Sequence, residues 1–546
     1  MTKKFSQQDA DRMLIGATDS PKHLSGIRRD DQVTDLYLPD PKSWPVKDGQ
    51  MVPQVNWGGL TLPMAASNLH FMIAGLPGTG KTISVRMLIQ SVFDSSLREN
   101  IGGTDRAVIY DPKQEFFPIL RGLGVQEEDI YILNPFDRRS WYWDIAADYT
   151  NMAGAGQLAK TIIPCNDNLS QPFFPKAAAA VLSAVIGVHM EMNPGQWDLA
   201  DVVFDCLTED RILSRLTNAK VTPYNVAALN SLAKGDTRAS VIAELTTELL
   251  KYLPLASCWR TARRYGRGFT IKRFLQEQGK IAILGANATY SEVLAPMNRL
   301  FLRRFSEQTL DNTSDSRWQA KDRTWLILDE VRELGKVHDL GTFIAKGRSK
   351  GLCTVIGIQD FPGLKEAFGE NVAQEIVNCC KHRLFMKLQG ESADWASSCI
   401  GKTEVMDVSI AVQTGSTTTA SFSSGKADTV TTNTVDWWGS TRNTPLGSIS
   451  TSKQSGVQIS STSSANVTVT KQAKVKDAVL ASEISGLPDF DEGDGLTGFV
   501  CRRLSSEQAS VVQKLHYSKD FIGCLKNVSN DPGFVEWDDN EMEFKY

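Results

Sequence analysis

The chain has 546 residues, of which 41% are hydrophobic and 22% are charged. These fractions are typical of folded proteins, and the length predicts two or three structural units. A formal net charge of -4 and a pI near 6.0 argue against a protein coated with basic surface for wrapping duplex DNA, but not against a local basic channel.

The nine cysteines contain no CxxC pair, and the six histidines contain no HExxH motif. The sequence therefore predicts neither a disulfide framework nor a zinc site. Residues 1–62 are rich in proline and have no sustained apolar period, which predicts an extended lead-in. Because residues 1–40 are polar and charged, without a stretch that resembles a signal peptide, the chain is expected to begin in the cytoplasm.

Residues 63–145 carry the first part of a predicted α/β domain. A short apolar strand at 69–74 is followed by a glycine loop and by helical spacing at 83–92. Two more strands are predicted at 107–110 and 130–133. Strands that alternate with helices indicate a parallel sheet.

The strand signal fades between residues 146 and 270, which predicts an inserted all-α domain. Segments such as 175–188, 199–207 and 240–250 have helical periodicity there. The longest apolar run, 177–188, is shorter than the roughly 20 residues that cross a bilayer, and it predicts a buried helix.

The sheet is predicted to resume within residues 271–410. Its strands are expected at 281–284, 324–328, 354–358 and 383–388. Each is short, apolar and followed by polar residues or glycine, as buried central strands should be.

Three further segments complete the chain. Residues 411–475 are rich in serine and threonine, which leaves little apolar surface and predicts a mobile or hairpin-like insertion. Residues 476–530 are expected to return to the α/β domain. Residues 531–546 hold an excess of acidic side chains, which predicts a solvated tail or, alternatively, a docking peptide.

The glycine loop after the first strand matches the complete motif G-x-x-x-x-G-K-[ST]. Glycines let the backbone curl so that its N–H groups point at phosphates, and the helix N-terminus adds partial positive charge. Lys81 is predicted to neutralise the β- and γ-phosphates of ATP, and Thr82 to bind Mg²⁺ through its hydroxyl. The predicted ATP-binding residues are Gly75, Leu76, Pro77, Gly78, Thr79, Gly80, Lys81 and Thr82.

Asp329 and Glu330 follow directly after the apolar strand at 324–328. A phosphate loop requires a carboxylate from a neighbouring strand to hold the metal, and Asp329 is therefore the second predicted Mg²⁺ ligand. Glu330 is predicted to orient or deprotonate the attacking water. Combined with the phosphate loop, the two acids predict an ATPase; a helix-capping pair is the structural alternative.

Two polar residues flank the predicted strand at 354–358. Gln359 ends that strand and is predicted to sense the γ-phosphate or to hold the water. Arg348 precedes it and is predicted to reach a nucleotide across a subunit boundary, where it would supply transition-state charge. Ordinary loop polarity is the alternative for both residues.

Two more charged groups have open interpretations. Residues 111–115, DPKQE, follow a strand on the side of the sheet where α/β proteins bind ligands, or they form only a turn. A basic group with interleaved aromatic residues either contacts phosphates and bases or forms a salt-bridged surface. This group comprises Arg260, Arg263, Arg264, Arg267, Lys272 and Arg273, with Trp259 and Tyr265.

Several motifs stand in the order of a known family: GLPGTGKT, YDPKQEF, LNPFDRRSWYWD, FTIKRFL, TWLILDEVRELG, AKGRSKG, GIQD and GKTEV. Over roughly residues 65–405 the chain resembles the type IV secretion coupling proteins of bacterial conjugation, of the TraD/TraG type. The resemblance implies a RecA-like P-loop NTPase with a mostly parallel central sheet and an inserted all-α domain. It also implies a homo-hexameric ring with ATP at the subunit interfaces and single-stranded DNA in the lumen.

The resemblance further assigns roles to single residues and implies partners. It gives the phosphate-loop pair to Lys81 and Thr82, the metal and water carboxylates to Asp329 and Glu330, the trans-acting arginine to Arg348 and the sensor to Gln359. The implied partners are relaxase or relaxosome proteins and components of the type IV secretion channel. Such proteins usually begin with two membrane-spanning helices, and residues 1–65 contain none. The expected protein is therefore cytoplasmic, or peripheral at the cytoplasmic face of the inner membrane through a small anchor protein.

The sequence favours an ATP-driven motor that translocates or recruits DNA for conjugative transfer. A soluble HerA/FtsK-like DNA translocase would share the same core without needing a secretion channel. A nucleotide-gated adaptor that docks substrates and turns over little ATP is the alternative from another class.

Overall fold

The computed structural model describes residues 23–30, 45–47, 50–97, 104–165, 172–220, 222–232, 235–311, 323–337, 339–421, 432–435, 441–445, 458–491, 494–502 and 510–538. The chain divides into two compact units. The larger unit comprises Asp31–Ala396, Ala481–Gln508 and Gln513–Tyr546, and the smaller comprises Met1–Asp30, Ser397–Leu480 and Ala509–Val512.

A mostly parallel sheet forms the centre of the larger unit. Its strands, numbered in chain order, are β1 Phe71–Ala74, β2 Arg106–Asp111, β3 Ile130–Ile132, β4 Ile281–Gly285, β5 Thr324–Leu328, β6 Leu352–Ile358, β7 His382–Phe385, β8 Leu496–Arg502 and β9 Val511–Tyr517. Their order across the sheet is β9-β8-β7-β1-β6-β5-β2-β4-β3. The pairs from β7 to β3 are parallel, and β8 runs antiparallel to β7. The predicted α/β fold class is thereby confirmed.

The register of the parallel strands brings their carboxyl ends to one edge of the sheet. Ala74 of β1 pairs with Ile358 of β6, and Leu328 of β5 pairs with Ile356 of β6 and with Tyr110 of β2. The strands β1, β2, β4, β5 and β6 are buried along their whole length, as central strands covered on both faces must be. The loops that follow β1, β6, β5 and β2 therefore lie side by side.

A hairpin inside the predicted lead-in belongs to the core. Strands Gln54–Trp57 and Leu60–Pro63 pair antiparallel, and the side chains of Val55, Trp57, Leu60 and Leu62 are buried. Gly58 and Gly59 form the turn with φ of +55° and +73°, the backbone that a two-residue hairpin turn demands. The Tyr517 hydroxyl donates a hydrogen bond to the Gly58 carbonyl at 2.7 Å. The prediction of an extended lead-in for residues 1–62 is wrong for residues 54–62, because a contact from the far end of the chain helps to bury them as a hairpin.

The all-α stretch begins after β3 and belongs to the larger unit. Its helices are Ile145–Asp148, Met152–Ile162, Phe173–Met192, Leu199–Asp205, Glu209–Asn218, Pro223–Ser231, Gly235–Lys251 and Leu253–Arg264. Within the described ranges, Phe173–Met192 is the one helix long and apolar enough to cross a membrane, and 61% of its apolar window is buried inside the protein. It packs as a core helix of this stretch, against Met152–Ile162 and Gly235–Lys251.

Further helices lie between the strands of the sheet or follow the last of them. They are Lys81–Phe93, Phe116–Gly122, Ile271–Phe274, Ser291–Asp311, Val331–Leu334, Leu340–Gly347, Phe361–Phe368, Glu370–Cys379, Glu391–Ile400, Ala481–Ser485 and Lys519–Gly523. Short 3₁₀ helices span Met64–Leu69, Glu127–Asp129 and Arg348–Lys350. Short strand pairs are formed by Tyr142–Trp143 with Gly268–Phe269 and by Val46–Lys47 with Gln50–Met51.

The smaller unit is built on a long β-hairpin. Strands Lys402–Ser421 and Gln458–Asp477 pair antiparallel along their full length, and His23–Gly26 pairs antiparallel with the first of them. A second pair joins Thr432–Val435 to Thr441–Pro445. The paired strands begin before residue 411 and end after residue 475, the predicted insertion limits. Threonine is enriched in β-strands. The hydrogen bonds between the two paired strands satisfy the backbone N–H and C=O groups, although the segment has few apolar side chains.

The first half of the predicted acidic tail is packed against the larger unit. Trp537 is buried and donates its indole N–H to the Pro135 carbonyl at 2.9 Å. The interpretation of 531–538 as a solvated tail is therefore wrong, because the excess of acidic residues does not reveal that Trp537 is buried. Residues 539–546 lie outside the described residues.

Candidate nucleotide site

The phosphate loop joins β1 to the helix Lys81–Phe93. Gly80 stands at the N-terminal end of that helix with φ of +88°, a conformation that glycine adopts without steric cost. The Thr79 hydroxyl donates a hydrogen bond to the Leu76 carbonyl at 2.7 Å. The loop thus curls around the helix N-terminus, where N–H groups and the helix dipole favour an anion.

Lys81 is folded back onto its own loop. Its Nζ donates hydrogen bonds to the carbonyl oxygens of Gly75 at 2.6 Å and Leu76 at 2.9 Å. Burial lowers the pKa of Lys81 to about 8, and the nearby Glu330 carboxylate acts in the opposite direction. The ammonium group is therefore held in a buried position beside the second half of the site.

Asp329 and Glu330 lie at the carboxyl end of β5, and both are buried. Burial raises the pKa of the Asp329 carboxyl, which the nearby Lys113 ammonium lowers. Glu330 adopts φ of +66°, a left-handed conformation that is costly for a residue with a side chain and is concentrated at functional sites. β6 lies between β1 and β5. The acids therefore follow a strand that is two positions away from β1, whereas the sequence suggested a strand directly beside β1.

The loop after β2 contributes a third set of charges. Both carboxylate oxygens of Asp111 accept backbone hydrogen bonds, from Glu115 N–H at 3.1 Å and Phe116 N–H at 2.8 Å. Burial raises the pKa of Asp111 to about 6. The Lys113 ammonium lies 3.7 Å from Glu330 Oε2. The DPKQE segment is thus more than a turn, since it brings a cation to the predicted water-activating carboxylate.

Gln359 follows β6 and lines a cavity of about 230 Å³ together with Glu330, Arg332, Glu333, Gly357, Ile358, Asp360 and Leu364. The structure therefore brings Gln359 and Glu330 to one cavity. Gly357 was not singled out from the sequence. A Cβ there would lie 3.0 Å from Asp329 Oδ1, and glycine within a strand is a signal of such close approach.

Arg348 is not part of this cluster. It is exposed and precedes β6, so it lies at the opposite edge of the sheet from the phosphate loop. It acts electrostatically on His70, the residue before β1. The seven residues of β6 span roughly 23 Å at about 3.3 Å per residue. Within one chain, Arg348 and the phosphate loop are therefore separated by the length of the strand.

Three of the six cations in the basic group predicted near residue 260 form ion pairs. Arg260 Nη2 lies 2.6 Å from Asp198 Oδ1, and Arg263 Nη1 lies 3.2 Å from Asp198 Oδ2. Arg273 pairs with Glu277 at 3.2 Å. These ion pairs favour the salt-bridged alternative over a nucleic-acid surface.

A phosphate loop after β1, a buried acidic pair two strands away and a polar side chain directly after the strand between them define a P-loop NTPase of the RecA-like α/β class. The family model described as the type IV secretion-system coupling protein DNA-binding domain matches residues 54–435. The chain belongs to this family, and the resemblance noted from its motifs is confirmed.

Similar proteins agree with this assignment. The coupling protein TraD of Escherichia coli (strain K12) is 24% identical over 372 residues, which cover 66% of this chain and 48% of TraD. The chain thus spans about half the length of this curated relative. The plasmid coupling protein TrwB in complex with ADP and Mg²⁺ has a similar structure, with 18% identity, a TM-score of 0.61, and coverage of 95% of this chain and 99% of that one. TrwBdeltaN70 in its unbound monoclinic form matches with 18% identity, a TM-score of 0.60, and coverage of 89% and 92%.

Proposed function

We propose that this chain is an ATP-hydrolysing motor that moves or recruits DNA and couples a relaxase–DNA substrate to a type IV secretion channel during conjugation. One observation carries the proposal: the loop of Lys81 and the acids Asp329 and Glu330 share one edge of the sheet, close enough for both carboxylates to act on the Lys81 ammonium. Membership of the coupling-protein family supports the conjugative role.

The residues present fit a magnesium nucleotide. Asp329 is a buried carboxylate at the carboxyl end of β5 whose pKa burial has raised, so a divalent cation beside it would offset the cost of its charge. Thr82 and Asp329 would hold Mg²⁺, which when bound supplies charge neutralisation across the β- and γ-phosphates. ATP is the nucleotide we propose, and the ADP and Mg²⁺ held by TrwB support it.

The residues of the chain then divide the work of hydrolysis. Lys81 exchanges its two carbonyl partners for phosphate oxygens and stabilises their charge. Glu330 accepts a proton from, or orients, the water that attacks the γ-phosphate, and Gln359 lies on the same cavity to hold that water or to sense the phosphate.

Arg348 acts from a neighbouring subunit. Because it lies at the far edge of the sheet, it serves a nucleotide only when a second copy presents that edge to the phosphate loop. This placement supports an assembly with ATP at the interfaces between copies. The assembly we propose is a homo-hexameric ring with single-stranded DNA in the lumen, and membership of the coupling-protein DNA-binding family supports the DNA partner. Relaxosome proteins, channel components and a small membrane anchor at the inner membrane are the proposed partners.

Phosphate release by the purified chain, with and without single-stranded DNA, tests the motor. Glu330→Gln should lower the hydrolysis rate by about 10²- to 10⁴-fold and leave ATP binding in place, whereas Lys81→Ala should remove ATP binding. Glu127→Gln is the matched control, since Glu127 is exposed on the 3₁₀ helix Glu127–Asp129 that precedes β3, at the amino edge of the sheet. This variant should hydrolyse ATP as the wild type does.

Transfer of a mobilisable plasmid measures the biological step. Both Lys81→Ala and Glu330→Gln should abolish transfer. If both variants supported normal transfer, hydrolysis would not drive the process, and the adaptor interpretation would replace the motor. Normal transfer in cells that lack the chain would remove the conjugative role altogether.

A further inference from the structure

The last described stretch of the chain, residues 526–538, runs from the helix Lys81–Phe93 to the loops after β2 and β3; we call it the C-terminal strap. Its first contact is with the helix that follows the phosphate loop. Arg86 donates a hydrogen bond to the Lys526 carbonyl at 2.5 Å, and the Gln90 side chain accepts one from the Lys526 N–H at 3.0 Å. The Lys526 ammonium lies 2.7 Å from Asp94 Oδ1, a buried carboxylate. The strap is therefore fixed to the phosphate-loop helix at one end.

The strap next packs on the helix that follows β2. Ser529 N–H donates to the Pro118 carbonyl at 3.0 Å, and Arg121 pairs with Asp531 at 3.2 Å. The backbones approach closely at Gly122, where a Cβ would lie 2.1 Å from the Asn527 carbonyl oxygen. A side chain at residue 122 is sterically excluded while the strap is in place.

Arg139 connects the far end of the strap to the loop after β3. Its guanidinium donates to the Pro532 carbonyl at 2.9 Å and to the Gly533 carbonyl at 3.1 Å. The same group pairs with Asp137 at 2.7 Å and lies 4.3 Å above the Phe117 ring. Planar bidentate contacts of this kind fix geometry as well as contribute energy.

One contact of the strap falls on the loop that carries Lys113. A Cβ on Gly533 would lie 2.1 Å from the Gln114 carbonyl oxygen, so the two backbones are in direct contact. Gln114 has a left-handed φ of +61°, and its side chain donates to the Ala286 carbonyl at 3.0 Å. The residue before it, Lys113, is the one whose ammonium lies 3.7 Å from Glu330 Oε2. The strap thus contacts a loop that contains a residue with left-handed backbone and that places the Lys113 ammonium beside Glu330.

We propose that Lys113 is a positioning residue for Glu330 and that the C-terminal strap holds it there by seating Gly533 against Gln114. Lys113 fixes the direction of the Glu330 carboxylate, which contacts the attacking water. The proposal rests on the proposed ATPase function and adds two determinants of its rate, one of them 420 residues away from the other along the chain (533 − 113 = 420).

Steady-state ATP hydrolysis by the full chain, together with nucleotide binding measured by fluorescence of a labelled ADP, tests this assignment. Lys113→Met should lower kcat by about tenfold, less than the roughly 100-fold cost of a 1 Å misplacement of a reacting group, and leave ADP affinity unchanged. Lys113→Arg should restore most of the rate, because a cation still reaches Glu330. Lys251→Met, which removes a lysine paired with Glu248 at the surface, is the matched control.

Gly533→Ala tests the strap. The added methyl group must displace the backbone contact with Gln114. We expect kcat to fall by the same factor as in Lys113→Met, while the melting temperature of the chain stays unchanged. Gly523→Ala is the matched control, because a Cβ there meets nothing within 4 Å. The double variant Lys113→Met with Gly533→Ala should be no slower than Lys113→Met alone, since residues that act through one another are not additive.

The outcomes separate this proposal from the ATPase function itself. Wild-type rates in both Lys113→Met and Gly533→Ala would overturn the proposal while leaving the motor intact. A loss of ADP affinity in Lys113→Met at unchanged kcat would assign Lys113 to phosphate binding and also overturn it. Multiplicative losses in the double variant would show that the strap acts elsewhere. No hydrolysis by the wild type would instead overturn the proposed function.

Discussion

The two edges of the central sheet hold very different sets of residues, although the same strands supply both. At the carboxyl edge, Lys81, Asp329 and Glu330 are buried charged groups in tight loops. At the amino edge, His70 and His382 are buried, and Arg348 is exposed. One edge concentrates charge for a ligand, and the other combines neutral buried rings with an outward cation.

Burial shifts the pKa values of the charged and titratable side chains at both edges. It lowers the pKa of both His70 and His382 to about 4, so these rings are neutral near pH 7. His70 Nδ1 accepts a hydrogen bond from the Thr354 N–H at 3.1 Å, which the neutral ring permits. The same burial raises the pKa of Asp329 and lowers that of Lys81. The carboxyl edge is therefore prepared for a charged ligand, whereas the buried rings of the amino edge carry no charge near pH 7.

The largest expected effect is on ATP hydrolysis, when the arginine that the amino edge of one subunit presents to the carboxyl edge of the next is removed. Arg348→Ala should lower ATP hydrolysis by about 10³-fold, as loss of a trans-acting arginine does, with little change in ATP binding. Mixing Arg348→Ala with Glu330→Gln subunits should recover part of the rate, because one interface then has an intact Glu330 from the first chain and an intact arginine from the second.

Lys346→Ala provides the comparison, since Lys346 is another exposed cation on the same segment. It should hydrolyse ATP normally. Mixed assemblies of Arg348→Ala and Glu330→Gln could instead hydrolyse ATP as slowly as assemblies of one variant. In that case Arg348 would not act across an interface, and its position at the amino edge would not contribute to catalysis.

A smaller effect should appear in the stability of the amino edge. A histidine whose pKa is about 4 when folded and about 6.5 when unfolded stabilises the fold above pH 6.5 and loses that contribution as pH falls toward 4. Between pH 7 and pH 4.5 each of the two histidines should cost about 2 to 3 kcal/mol of unfolding free energy, by the linkage relation.

His382→Gln isolates one histidine. Its amide can keep the hydrogen bond that His382 Nε2 makes to the Ala66 carbonyl at 3.0 Å, but it does not titrate. Urea unfolding at pH 7 and pH 4.5 should show a smaller loss of stability in the variant than in the wild type. Equal losses in the two proteins would mean that His382 does not protonate in this range.

The carboxyl edge was largely readable from the sequence because its determinants are local. The phosphate loop is one continuous motif, and β5 spans Thr324–Leu328, as its apolar run predicts. The position of Arg348 was not readable in the same way. A spacing of 19 residues from Asp329 (348 − 329 = 19) does not reveal that the helices Val331–Leu334 and Leu340–Gly347 carry the chain to the other edge.

Contacts between distant residues account for the rest of what was missed. The hairpin at Gly58 is buried partly by Tyr517, and the strap is held by Arg139, each from a far part of the chain. Local composition marks the first as a lead-in and the second as a tail. Only three-dimensional packing turns them into parts of the core and of the nucleotide-binding side.

The smallest effect should come from the strand between the phosphate loop and the acids. A Cβ on Gly357 would lie 3.0 Å from Asp329 Oδ1 and 3.2 Å from the Glu330 backbone nitrogen, so Gly357→Ala must move the acids by tenths of an ångström. We expect kcat to fall by about 3- to 10-fold, because small misplacements of reacting groups are costly, with an unchanged unfolding transition. Gly156→Ala, where a Cβ meets only Ser183 Oγ at 3.9 Å, should leave hydrolysis unchanged. A wild-type kcat in Gly357→Ala would mean that the acids tolerate displacement, and that the carboxyl edge is held less tightly than its buried charges require.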